Sequence, residues 1–194
     1  MNYLNYVKSR DAAWKMLIDF QVQTLPVKIV RLCKEMGIQV KKYISTDGND
    51  GYCKMYPNEP FIFVNQNCSV ERQRFTVAHE LGHIILGHVG KFELVNREPS
   101  EFDNPIEREA NIFASRLLAP VCVLHEIGVR NPSDISKMCG ISLQSAQIRF
   151  KRFEVLEKRN KEFLEKYGKG CYYMSPLEKQ VAEQFRNFIE TYQL

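Results

Sequence analysis

An α+β fold follows from two changes of period along the chain and from the placing of its prolines. Apolar residues recur at helical spacing before Gly37, form short strand-like runs between Ile38 and Val64, and return to helical spacing from Val70 onward. The strand-like runs are few. The expectation is therefore a small antiparallel or mixed sheet packed on helices, followed by an α-helical tail.

Each element has a local reason. The stretch to about Phe20 reads as a helix with Trp14, Leu17, Ile18 and Val22 on one side. Pro26 suits a first helical position, and Val27, Ile29, Val30 and Cys33 carry a second helix to its stop at Gly37. Ile38 to Tyr43 and Phe61 to Val64 read as strands, joined by a turn from Asp47 to Gly51 and a short strand near Tyr52 to Tyr56. A long helix should span Val70 to Leu86. Asn104-Pro105-Ile106-Glu107 has the form of an N-cap, a proline at N1 and a capping-box glutamate at N3. The helix it opens runs through Ala110, Phe113, Ala114, Leu117 and Leu118 and stops at Pro120. Beyond that point the pattern is helical throughout, with cap signatures at Asn131-Pro132-Ser133-Asp134 and Ser175-Pro176-Leu177-Glu178. These signals divide the chain into residues 1–120 and an α-helical region, 121–194.

Composition narrows the class. With 194 residues, 44% apolar and 26% charged, the chain can bury a sizeable core without disulfides or a structural metal. No apolar run approaches the roughly 18 residues of a membrane span, and the first residues lack a secretion signal's apolar region. The six cysteines include no Cys-x-x-Cys pair, which fits reduced thiols in a cytoplasmic protein. A net charge of +4 is compatible with nucleic acid but does not argue for it.

His79-Glu80-Leu81-Gly82-His83 carries the chemistry. Residues four apart on a helix differ by about 40° and one turn of rise, so both imidazoles can hold one zinc ion. Glu80 sits about 100° round, placed to take a proton from an attacking water without being a ligand. Val77, Ala78, Leu81, Ile84 and Ile85 share the opposite arc, so the helix should bury that face and offer the imidazoles on the other. Gly82 leaves room for a neighbouring element. His88 falls about 140° from His83, outside a shared metal site, and His125 stands apart on the tail.

Catalytic zinc usually takes three protein ligands and keeps one position open. The acidic candidates are Glu101, Asp103, Glu107 and Glu109. Glu107 already has a structural role at N3 of the capping box, whereas Glu109 lies beside an apolar face, where a carboxylate needs a cation. Spacing alone does not choose between them, and the capping argument favours Glu109.

Arg72 to Ile84, together with Glu109-Ala110-Asn111-Ile112-Phe113-Ala114-Ser115-Arg116-Leu117-Leu118-Ala119-Pro120, resembles the ImmA/IrrE family of metallopeptidases. The resemblance covers about residues 26 to 155 and rests on two motifs in the right order; Ala119 departs from a frequent methionine. It implies a gluzincin-like zinc peptidase with one Zn2+ per chain, held by His79, His83 and Glu109, with Glu80 as the catalytic base. It also implies that the strand Phe61 to Asn65 helps bind substrate. The substrate implied is a helix-turn-helix transcriptional repressor, often encoded nearby on a mobile element or in a stress-response locus.

Residues 133–153 have the outline of a helix-turn-helix, with small Ser136, a turn at Gly140 and apolar Ile135, Cys139, Ile141 and Ala146. Arg149, Lys151, Arg152, Lys158, Arg159 and Lys161 make the following stretch basic enough to meet phosphates. Without a dimer signal or a base-reading set, nucleic acid is a weak partner and a solvated helical face the plainer one. The expected function is a zinc-dependent endopeptidase making limited cuts in a repressor, with no membrane partner. The rival is a zinc-stabilised DNA-binding regulator without hydrolytic activity.

Overall fold

The structure, a computed structural model, describes residues 3–57, 59–89, 104–168 and 174–192. Helix α1 (Tyr3–Asp19) and α2 (Ile29–Glu35) precede strands β1 (Gln39–Tyr43), β2 (Gly51–Tyr56) and β3 (Glu59–Asn65). Helices α3 (Val70–Ile85), α4 (Pro105–Leu118), α5 (Val121–Ile127), α6 (Pro132–Cys139), α7 (Leu143–Tyr167), α8 (Pro176–Gln184) and α9 (Arg186–Glu190) follow. Among the described residues the chain is α+β with one small sheet.

The chain forms two compact units, Met1–Ala13 with Lys28–Leu118, and Trp14–Val27 with Ala119–Leu194. The second unit thus takes in a segment near the N-terminus as well as everything after Leu118. Composition gave no sign of this, because α1 runs through the division without a break.

In the first unit the sheet is mixed, in the order β1-β3-β2, with β1 parallel and β2 antiparallel to β3. Both edges of β3 are therefore occupied. A substrate cannot extend the sheet along Phe61–Asn65 by backbone pairing, which removes the direct form of the role the family resemblance gives that strand. Strand side chains alternate. Ile62 and Val64 are buried, while Phe61 and Phe63 stack with each other and Phe63 with Tyr52 on the other face. Gly51, paired with Val64, leaves no room for a side chain. A Cβ there would stand 2.5 Å from the Phe63 carbonyl oxygen and from Thr76 Cγ2 on α3. The buried Asn65 ties the preceding loop down, its amide donating to the Ser45 and Asn49 carbonyls while its oxygen accepts from Asn67 N–H.

Helix α2 starts later than its sequence suggests. Lys28 is its N-cap, and Pro26 follows a cis peptide bond before the helix instead of occupying N1. Helix α3 opens at Ser69, whose side chain accepts from Arg72 N–H, and Arg72 in turn pairs with Asp50. It packs on β2, β3 and α4, and its apolar Val77, Ala78 and Leu81 are buried. The imidazole face is therefore covered as well, and every residue from Thr76 to His83 is buried.

In the second unit, α6 and α7 meet through Gly140 (φ +60°), Ile141 and Ser142, with Ser136 Oγ donating to the Ile141 carbonyl. Arg149, one of the expected phosphate-facing cations, is instead buried and donates from Nε to the Ala119 carbonyl at 2.8 Å. His125 pairs with Glu157. Gln184 bonds the carbonyls of Leu17 and Val22, joining α8 to the end of α1. Among the described residues one stretch, Pro105–Ile127, is long and apolar enough to cross a membrane, but 61% of its most apolar window is buried inside the protein and the two helices α4 and α5 make it up. The five described cysteines are all free thiols.

Candidate metal centre

Two helices supply the site. On α3, His79 and His83 stand one turn apart, and their Nε2 atoms approach to 3.0 Å. On α4, the Glu107 carboxylate reaches both rings, at 3.0 Å from His79 Nε2 and 3.3 Å from His83 Nε2. One ligand atom from each of the three residues lies within 4.8 Å of the others. Both histidines are buried, and the Glu107 side chain is 28% exposed, so the cluster opens on the carboxylate side.

The expected third partner lies elsewhere. Glu109 accepts from Asn5 Nδ2 at 2.6 Å and lies 3.2 Å from His88 Nε2, and His88 Nδ1 lies 3.1 Å from His83 Nδ1. Glu107, expected to serve its own N-cap, turns to α3 instead. Asn104 Oδ1 accepts from Ile106 N–H, so the helix has a side-chain cap without the glutamate. Pro105 has no N–H to satisfy. The N3 carboxylate is then available to α3. Residues 107 and 109 differ by about 200° around α4, so the two carboxylates face different neighbours. Glu101 and Asp103, the other acidic candidates, lie outside the described residues. Glu80 is fully buried beside His79 on α3.

Asn111 was quoted in the second motif without a role, yet its Oδ1 lies 3.0 Å from His79 Nδ1. The signal available was its spacing. Glu107 and Asn111 share a helix face at i and i+4, the same interval that separates His79 from His83. Asn5, on α1, lay outside the family resemblance altogether.

Electrostatics agree with a cation at this point. An amide oxygen on Nδ1 makes that nitrogen the protonated one in a neutral His79, leaving Nε2 as a lone pair. That lone pair faces a second imidazole nitrogen and a carboxylate oxygen, an arrangement of acceptors that only a proton or metal ion can hold together. Burial acts to raise the Glu107 pKa, but with a proton standing in for the cation between the rings, hydrogen bonds and charge from His79 and His83 outweigh it and hold the carboxyl well below its ordinary value. Burial, with His83 nearby, lowers the pKa of His88. Two imidazole nitrogens and one carboxylate also form a donor set that suits zinc and leaves a coordination position open.

Residues 33–151 match the model of the IrrE N-terminal-like domain, Peptidase_M78. Over 76 residues the chain is 36% identical to the radiation response metalloprotease IrrE of Deinococcus radiodurans, a stretch that makes up 37% of this chain and 23% of that protein. The match thus spans about a quarter of the relative's length. With the metal-type cluster inside a family match that covers more than half of the chain, the protein belongs to the ImmA/IrrE family of metallopeptidases.

Proposed function

We propose that this protein is a cytoplasmic zinc-dependent endopeptidase that makes limited, site-specific cuts in a protein substrate, a helix-turn-helix transcriptional repressor. The observation that carries the peptidase reading is the convergence of His79, His83 and Glu107, with the Glu80 carboxylate one residue along the same helix. The ligand set proposed is His79 Nε2, His83 Nε2 and a Glu107 oxygen. A bound zinc supplies Lewis acidity toward the scissile carbonyl and the attacking water.

The chain's own groups do the rest. Glu80 accepts the proton of the attacking water and delivers it to the leaving amine. Asn111 holds the His79 ring in one tautomer. The family assignment supports proteolysis, and the repressor as substrate rests on the resemblance of the two motifs to the ImmA/IrrE family.

The test compares wild type with Glu80→Gln, each incubated with the repressor encoded beside this gene and followed by mass spectrometry. Wild type should give one or a few defined fragments. Glu80→Gln should keep its zinc and its fold and give none. The same fragments from both proteins would remove Glu80 from the mechanism, and no fragment from either, across several metals, would favour the non-hydrolytic regulator.

A further inference from the structure

Three residues outside the ligand set form a hydrogen-bonded file that ends on His83, one of the ligands. Asn5 Nδ2 donates to Glu109 Oε1 at 2.6 Å, and Glu109 Oε2 meets His88 Nε2 at 3.2 Å. His88 Nδ1 then meets His83 Nδ1 at 3.1 Å. The side chains of Glu109 and His88 are each 10% exposed and that of His83 is 7% exposed, so water does little to share these bonds.

The direction of every proton in the file follows from its far end. A carboxylate can only accept, so His88 Nε2 carries the hydrogen that bridges to Glu109. The Nδ1 of a neutral His88 is then a lone pair. It faces His83 Nδ1, which must therefore be the protonated nitrogen of its ring. His83 Nε2 is left bare, and that is the atom directed at His79 Nε2 and Glu107. The opposite assignment would set a lone pair on His88 Nε2 against the Glu109 carboxylate and turn an N–H toward the ligand cluster.

We propose that Glu109 and His88 are positioning residues that act in series to fix the metal-binding tautomer and ring orientation of His83, with Asn5 anchoring the Glu109 carboxylate. The proposal rests on the ligand set given above. It assigns Glu109 a task other than ligation and gives His88 and the first turns of α1 a part in the site. His79 is oriented by Asn111 at the solvent side and His83 by this file from the interior, so the two rings are held by independent partners. Outer partners of this kind typically change metal affinity by about 10–100-fold when removed.

The experiment measures zinc affinity by competition with a chelating dye, for the full chain and for His88→Phe, Glu109→Leu, Glu109→Gln and the double variant His88→Phe/Glu109→Leu. The melting temperature of each metal-free protein is recorded alongside. His88→Phe and Glu109→Leu should each weaken zinc by about 10–100-fold, beyond any change in metal-free stability. Glu109→Gln, which keeps an oxygen acceptor for His88 Nε2–H, should recover most of that loss. The double variant should be no weaker than His88→Phe alone, because a series broken once is broken. Affinities within twofold of wild type in both single variants overturn the proposal, as do equal losses in Glu109→Gln and Glu109→Leu, or additive losses in the double variant. Wild type that binds zinc no better than His79→Ala/His83→Ala points instead to failure of the ligand set itself. The Glu109→Gln arm keeps the comparison decisive if a larger replacement fails to fold.

Discussion

Glu107 and Asn111, one turn apart on α4, address the two nitrogens of a single imidazole: a carboxylate oxygen stands 3.0 Å from His79 Nε2 and an amide oxygen 3.0 Å from His79 Nδ1. One helix face thus provides both a proposed metal ligand and the group that orients its neighbour. The placement of α4 on α3 consequently decides ligand geometry twice over.

Zinc content should separate the two glutamates. Purified Glu107→Gln should hold far less than one zinc per chain, whereas Glu109→Gln should remain close to one when zinc is supplied in excess. Elemental analysis of dialysed protein reads this directly. Full zinc in Glu107→Gln would return the third ligand to Glu109.

Asn111 should matter through its oxygen alone. Asn111→Asp preserves an acceptor for His79 Nδ1–H and should bind zinc within a few-fold of wild type. Asn111→Leu removes it and should weaken zinc by about 10–100-fold, as measured by chelator competition. Asn111 is exposed, so neither change should lower the melting temperature of the metal-free protein appreciably.

Glu107 gives the metal-free protein a defined acid response. Its folded-state pKa is depressed, so between that value and the unfolded value of ~4.3 the native state holds fewer protons than the unfolded chain. Stability then rises with pH across this window. The contribution is complete above the unfolded pKa and is lost as pH falls through the folded one. Urea unfolding of metal-free wild type and Glu107→Gln should show a difference that is constant from pH 6 to about pH 5.5 and shrinks on further acidification. A difference that widens in acid would contradict the assigned direction.

Burial pushes the thiols of Cys33 and Cys122 up to about 12. Both should resist a thiolate-dependent reagent in the native protein and react only on unfolding. Cys53 is partly exposed and should be labelled first, while Cys68, raised by burial and by donating its thiol to the Asp50 carboxylate, should follow it. Peptide mapping after brief labelling distinguishes the four sites.

Much of the fold was legible because its signals are local. Ser69 and Asn104 cap the helices they introduce, Gly37 ends α2 region at positive φ, and the HExxH spacing places two imidazoles on one face wherever that helix packs. The misreadings share a different cause. Whether Glu107 turns to its own N-cap or to α3 depends on tertiary packing, which a capping pattern does not contain. Arg149 looked like a surface cation because its neighbours are charged, yet its guanidinium satisfies a buried carbonyl. Asn5 and His88 reach the site only through the folded arrangement of α1, α3 and α4, and no spacing rule links them.

Gly82 turns the contact between α3 and α4 into a gauge. A Cβ at this position would meet Phe113 Cδ1 at 3.0 Å and the Ala110 backbone at 3.3 Å. Ala110 lies midway between Glu107 and Phe113 along α4, so a side chain at 82 presses on the segment that carries both Glu107 and Asn111. The two sequence motifs are therefore not free to drift separately. The missing side chain at the fourth position of the HExxH thus sets how closely the helix bearing both partners of His79 can approach the imidazoles.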